Sequence, residues 1–303
     1  MSAPATPTSA PTPPAQDLPG GRTSRALPVI GWVGAGVVLL VALIGVAGGW
    51  LSPHRPTALA GQPLEPPSLT HLLGTNGLGQ DLASQLVSGA RVSLIVAVVA
   101  GGGTVVLGGV IGILAGWAGG TLDAVIMRVV DFVLVIPRLP LLIVLGAYAG
   151  PSIWVISTAI ALTFWPSSAR VVRSQVLSLR RRSHVKAAKG FGGRTAYVMR
   201  RHLAPEVGLV LIAGLVSAAG RAVMLEAGLA FLGLGDPRRA SWGQMMRDAL
   251  DFSGLFYTTA WTWWLGPPLL AITALLLGFT FLGVGVEQRL NPRLARHGVR
   301  RSS

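Results

Sequence analysis

No cysteine occurs in the 303 residues, so disulfides, thiolate metal sites and cysteine nucleophiles are excluded, and the redox compartment is left undetermined. Acid is scarce: 11 Asp and Glu stand against 25 Lys and Arg, a net charge of +14. Charge of either sign is also sparse, at 12% of residues where a soluble chain carries about a quarter. With 51% hydrophobic residues and a mean hydropathy of +0.61, this composition excludes an ordinary soluble domain and indicates a membrane protein. The positive balance does not indicate a nucleic-acid partner, because the cations crowd the ends of apolar runs, where the positive-inside rule puts them. No Gly-Lys dipeptide exists, hence no phosphate loop of the GxxxxGK[ST] kind. The five histidines (His54, His71, His184, His202, His297) lie in polar segments, without HExxH spacing and without a serine partner in a catalytic arrangement.

What is present is a succession of uncharged runs. Residues 1–26 open with six prolines among Ala, Thr and Ser, a composition too polar to offset its own ordering entropy, and read as a disordered cytoplasmic tail. Arg22 and Arg25 precede Leu27–Leu51, which is 25 residues without a charge and long enough to cross ~30 Å of hydrocarbon at ~1.5 Å per residue. It reads as a retained first helix, being longer than the ~7–15 apolar residues of a signal peptide. Residues 52–90 are rich in Pro and Gly and form an expected extracytoplasmic segment. Residues 91–288 form the expected core, with spans near Val92–Ala118, Ala124–Ala149, Gly150–Val172, Pro205–Leu234 and Trp261–Val286. Gly108, Gly112 and Gly116 recur every four residues and predict close helix approach. Trp261, Trp263 and Trp264 suit an interfacial belt. Residues 289–303 are a basic tail. The fold class expected is therefore an all-α polytopic membrane protein with six transmembrane helices.

Between Arg170 and Pro205 the chain carries ten Lys or Arg and no acid. Counted by alternating sides, 18 cations fall on the side of the termini and of this stretch and five on the other. That asymmetry places both termini and the 173–205 loop in the cytoplasm of a multi-pass plasma-membrane protein. Ser183 is positioned to cap a short helix over His184–Lys189, Gly192-Gly193 to break it, and Thr195–His202 to form a second short helix before Pro205.

The stretch KAAKGFGGRTAYVMRRHLAP resembles the cytoplasmic motif of permease subunits in binding-protein-dependent ABC importers, with Ala187, Ala188, Gly192 and Pro205 at matching positions. Lys186 stands where the motif has Glu, and Ala204 where it has Leu. Three more segments resemble the dipeptide, oligopeptide and nickel-type branch. LGTNGLGQD is similar to LGTD-x-LGRD with Asn76 and Gln80 departing; EAGLAFLGLG, followed by Ser241-Trp242-Gly243, is similar to a paired signature; FTFLGVGVEQRLNPRL is similar to a C-terminal one. The resemblance implies a type I importer fold in which this chain pairs with a homologous permease. Two ATP-binding subunits would dock beneath, an extracytoplasmic binding protein would deliver peptides or nickel, and ATP and Mg would be bound by the partner subunits, with no cofactor on this chain. It also implies an ATPase-coupling set at Lys186, Ala187, Ala188, Gly192, Gly193, Leu203 and Pro205. A lysine in a first helical turn opposes the helix dipole by about 0.3–1 kcal/mol. Lys186 is open to two readings, pairing with an acid on the ATP-binding partner or solvation.

Asp131, Arg138, Arg221 and Glu226 lie within apolar spans, where an unpaired charge costs at least ~2.5 kcal/mol. Each is a functional or a structural candidate, the structural pairings expected being Asp131 with Arg128 and Arg221 with Glu226. An ion-gradient-driven transporter using Asp131 or Glu226 is the alternative function; an intramembrane hydrolase is a third. Neither explains the Ala-Ala, Gly and Pro spacing.

Overall fold

The computed structural model describes residues 26–52, 54–190 and 195–290. Among them helices are the only regular elements, with no strand and two isolated bridges, Leu59 with Gln80 and Thr75 with Asp81, in the irregular segment before residue 82. The N-terminal and C-terminal tails, and Gly192 and Gly193 of the expected coupling set, lie outside the described residues.

Among the described residues five helical stretches are long and apolar enough to cross a membrane. The first is α1 (Ala26–Leu51). The second joins α2 (Leu82–Val96) through a π turn at Ala97–Gly101 to α3 (Gly102–Ala118). It takes in the last nine residues of the expected polar segment, because Asp81 caps it by accepting the Ser84 N–H. At 37 residues it is ~55 Å long, well beyond a ~30 Å hydrocarbon core. A turn at Gly119 and Gly120, both at positive φ, leads into α4 (Gly120–Val135) and α5 (Arg138–Ala149). The expected single span Ala124–Ala149 is thus two helices, bent by 79° at Ile136–Pro137. Proline drives its predecessor out of the α region, and Ile136 is extended at φ −69, ψ 126. Pro140 falls in the first turn of α5, where its missing N–H costs little. Taken as one broken span, the pair brings the total to six.

α6 (Ile153–Arg180) runs eight residues past the expected end of its span, so Arg173 and Arg180 belong to it rather than to the expected 173–205 loop. The short α7 (Ser183–Gly190) follows. From α8 (Thr195–Val198) the chain stays helical through a π turn at Met199–Leu203 into α9 (Ala204–Leu229). The expected second short helix is therefore continuous with the next span. Pro205 cannot donate and would crowd the carbonyl four residues back, and the wider π turn immediately before it relieves both conflicts. α10 (Trp242–Asp251), α11 (Ala260–Trp264) and the last span, α12 (Gly266–Leu290), complete the order.

Small residues set the packing. A Cβ on Gly112 would stand 2.6 Å from the Ala169 carbonyl and 2.8 Å from Val172 Cβ, so the Gly108–Gly112–Gly116 row is the groove that receives α6. The α1–α12 pair closes in the same way: a Cβ on Gly34 would stand 2.4 Å from Leu282 N. Trp264, expected in an interfacial belt, is instead buried against Phe252 with ring centroids 5.9 Å apart, whereas Trp261 is exposed. Large apolar side chains remain uncovered on α1, α4 and α5, among them Trp50, Phe132, Val135 and Tyr148, faces suited to lipid or another apolar subunit.

Candidate coupling surface and buried polar sites

α7 hangs on one apolar anchor. Val185 is 1% exposed and packs with Val172, Val176 and Leu179 of α6 and with Val198, Leu203 and Val207. This cluster reaches Ile113 and Trp117 of α3, so α7 is tied to three spans at once. Its first intrahelical bond runs from Lys186 N–H to the Arg182 carbonyl, 3.1 Å, which places Arg182 at the cap and Ser183 inside the helix, one residue away from expectation. His184, Lys186 and Ala187 face outward while Ala188 is half-buried against the cluster. Leu203 is buried in the same cluster, and Pro205 is exposed beside it. Of the expected coupling residues, the structure therefore brings Ala188 and Leu203 into one core and leaves Lys186 and Ala187 as an outer face.

The arginines around this surface act as clamps. Arg180 donates to the Gly116 carbonyl at 2.8 Å and lies 5.7 Å from the Trp117 ring, fastening the end of α6 to the end of α3. Arg182 pairs with Glu206 at 2.7 Å across the hairpin. Arg173 grips Asp123 of α4 with two bonds, Nε to Oδ1 at 2.5 Å and Nη2 to Oδ2 at 2.6 Å. Asp131 pairs with Arg170, three residues before Arg173 and so on the same face of α6, and not with Arg128 as expected. Interhelical partners were not legible because the pairing depends on how α4 folds back after Gly119–Gly120. Arg138 donates to Ser167 Oγ at 2.8 Å and sits 4.5 Å over the Phe164 ring. The expected Arg221–Glu226 pair is not formed: Arg221 stands on an exposed face of α9, whereas Glu226 is 4% exposed with Ser241 as its polar neighbour.

At the opposite end of the 82–118 helix, the segment before α2 is built on hydrogen bonds. Asn76 Oδ1 accepts the N–H groups of Leu78 and Gln80, both at 2.9 Å, and its Nδ2 donates to Gln80 Oε1 at 2.8 Å. The two positions where LGTNGLGQD departs from the LGTD-x-LGRD pattern are thus bonded to each other, an amide pair standing where the pattern has an acid and a base. Asp81 accepts from Ser84 N–H at 2.8 Å, Ser84 Oγ–H at 2.6 Å and His71 Nδ1–H at 3.0 Å. Burial pushes its pKa up, but these bonds and the nearby His54 outweigh it and hold the carboxyl below its ordinary value. Trp242 of the Ser-Trp-Gly motif donates Nε1–H to the Leu86 carbonyl at 2.8 Å, and its ring fills the space a side chain at Gly89 would need. Asp236 accepts from Arg238 N–H at 3.0 Å and faces the first N–H of α6 at 3.5 Å. Asp81, Asp123 and Asp236 were all missed as organising residues, although the Asp-x-x-Ser spacing of Asp81 and Ser84 carried a cap signal.

Residues 108–296 match the family model described as binding-protein-dependent transport system inner membrane component. The chain is 35% identical over 264 residues to the dipeptide transport system permease protein of Bacillus subtilis strain 168, covering 86% of this chain and 81% of that one. It is 33% identical over 268 residues to a putative peptide transport system permease protein of Brucella abortus biovar 1, covering 88% of each chain. A putative peptide permease protein of Brucella suis biovar 1 is 34% identical over 246 residues, covering 80% of each. With the bundle of apolar helices and the motif positions in place, this chain belongs to the family of inner membrane components of binding-protein-dependent transport systems: it is a multi-pass transport permease, not an enzyme.

Proposed function

We propose that the chain is one of two homologous permeases in an ATP-driven peptide importer and that it contributes half of the translocation pathway. Two separate ATP-binding subunits dock beneath the permease pair; one of them grips α7 of this chain, and their closure reaches the spans through the Val185 cluster. The carrying observation is the division of α7 into an anchored face, built on Val185 and Ala188, and an outer face of Lys186 and Ala187. A helix fixed to α3, α6 and α9 by one apolar cluster moves those spans when it is pushed. The α7 hairpin and both termini lie on the cytoplasmic side, a placement favoured by the distribution of Lys and Arg, and a binding protein delivers substrate to the other side. Peptides are favoured as substrate by the peptide permeases at 33–35% identity over most of the chain. ATP and Mg belong to the partners. Lys186, where the motif has Glu, pairs with an acidic residue of the ATP-binding subunit, and Lys186→Glu abolishes assembly with it.

Because the chain contains no cysteine, one introduced thiol reports on one position. Ala187→Cys in the assembled transporter, labelled at its one thiol with a maleimide that carries a photoactivatable group and then illuminated, is expected to yield an adduct with an ATP-binding subunit whose yield changes with nucleotide. Tyr148→Cys, on α5, yields none. Equal adducts from both positions, or from neither while the complex is intact, contradict the proposal.

A further inference from the structure

His54, His71 and Asp81 each present a metal-ligating atom, and the three atoms lie within 4.8 Å of one another. They come from distant points of the segment between α1 and α2, and His71 and Asp81 are buried. His54 Nδ1 is buried with no hydrogen-bond partner, although its backbone N–H is bound to Ser84 Oγ at 3.2 Å. An imidazole nitrogen kept from water beside a carboxylate and a second imidazole is an unfinished hydrogen-bond set. We propose that these three residues bind a divalent transition metal of the zinc class, which staples the segment linking the first helix to the bundle.

The donor set suits that class, two imidazoles and one carboxylate with a fourth position left to water. His71 Nδ1 and Asp81 Oδ1 are 3.0 Å apart, and bonds of ~2.0–2.1 Å in a tetrahedron need roughly 3.3 Å between ligands, so the pair opens by a few tenths of an ångström. Asp81 ligates through Oδ1 while Oδ2 keeps both bonds from Ser84, so metal entry leaves the cap of α2 intact. A metal at His71 Nδ1 takes the place of a proton there and leaves the ring N–H at Nε2, which faces Glu65 Oε2 at 3.8 Å. A carboxylate behind a ligating histidine is the usual second partner of such a site. Of the three ligands, His54 also lines a cavity of about 360 Å³ with Ser52, Pro56 and Ser88, and on this proposal the metal enters from that side. Arg55 and Arg91 line it too, so affinity comes from the donors and not from the surrounding field.

The test uses the full chain, purified in detergent without a polyhistidine tag, stripped with chelator and titrated with zinc chloride. One zinc per chain is expected, with an upward shift of the unfolding midpoint that magnesium does not reproduce. Cobalt in place of zinc gives a tetrahedral visible absorption. His54→Ala abolishes stoichiometric binding, Glu65→Gln weakens it roughly 10- to 100-fold, and His297→Ala leaves it unchanged. Failure of the wild-type chain to take up one zinc, or equal uptake by His54→Ala, overturns the site. The cluster stands at the other end of the 82–118 helix from the Arg180–Gly116 clamp, so either result leaves the coupling proposal untouched.

Discussion

Removing Arg173 should loosen α4 from α6 far more than removing Arg173 and Asp123 together. Asp123 has a side chain only 12% exposed, and Arg173, 31% exposed, supplies both of its short bonds. Arg173→Met keeps most of the aliphatic stem and strands the carboxylate. Breaking a fully buried pair from one side costs about 3–5 kcal/mol. Partial exposure, with Arg180 close enough to attract the orphan, brings the expected loss to about 2–3 kcal/mol. Arg173→Met/Asp123→Ala strands nothing and should lose about 1 kcal/mol. For a chain of this size 1 kcal/mol moves an unfolding midpoint by about 2–4 °C, so the single variant should melt roughly 5–10 °C low and the double roughly 2–4 °C low. The assay is thermal unfolding in detergent across the four-member cycle. A double variant at least as unstable as Arg173→Met would refute the clamp.

Other consequences follow from the same contacts. Asn76→Asp and Gln80→Arg should each destabilise the chain by about 1–2 kcal/mol, since each spoils the amide pair, while the double variant restores an ion pair and most of the unfolding midpoint. Burial, opposed by Arg247 and reinforced by Asp251, holds the Asp248 carboxyl above its ordinary value in α10, outside the membrane-spanning stretches. A raised acid penalises the folded state once it ionises, so Asp248→Asn should raise the unfolding midpoint at pH 7, with the gain vanishing below about pH 3.9, the unfolded value. Gly112→Leu should part α3 from α6, because its first carbon already meets backbone at 2.6 Å; reduced yield and a lower midpoint check this, and an unchanged midpoint contradicts the packing.

The all-helical class, the first helix, the break at Gly150 and the glycine groove were legible because they depend on local composition: long apolar runs, a Gly-Pro step and a four-residue repeat. α7 was legible to within a residue for the same reason. The bend at Ile136–Pro137 was not read, although Pro137 marked it, because hydropathy continues unbroken across it. Partners were the least legible. Asp131 faces Arg170, 39 positions away, and Asp123 faces Arg173, 50 away, and only the fold brings them together. Four of the ten cations in what looked like one basic loop therefore serve as clamps, and the exposed Lys186 and Ala187 of α7 are left to meet another protein. The Asn76–Gln80 bond explains why two departures from the family pattern occur together: one side chain satisfies the other.

The central claim is that this permease moves solute only when separate subunits act on α7. Uptake of labelled peptide into vesicles decides it, comparing the chain alone, the assembled transporter without nucleotide, and the assembled transporter with ATP, Mg and binding protein. Uptake in the last case alone, lost with Lys186→Glu, is the predicted result. Full-rate uptake by the chain alone, with no nucleotide present, would contradict it.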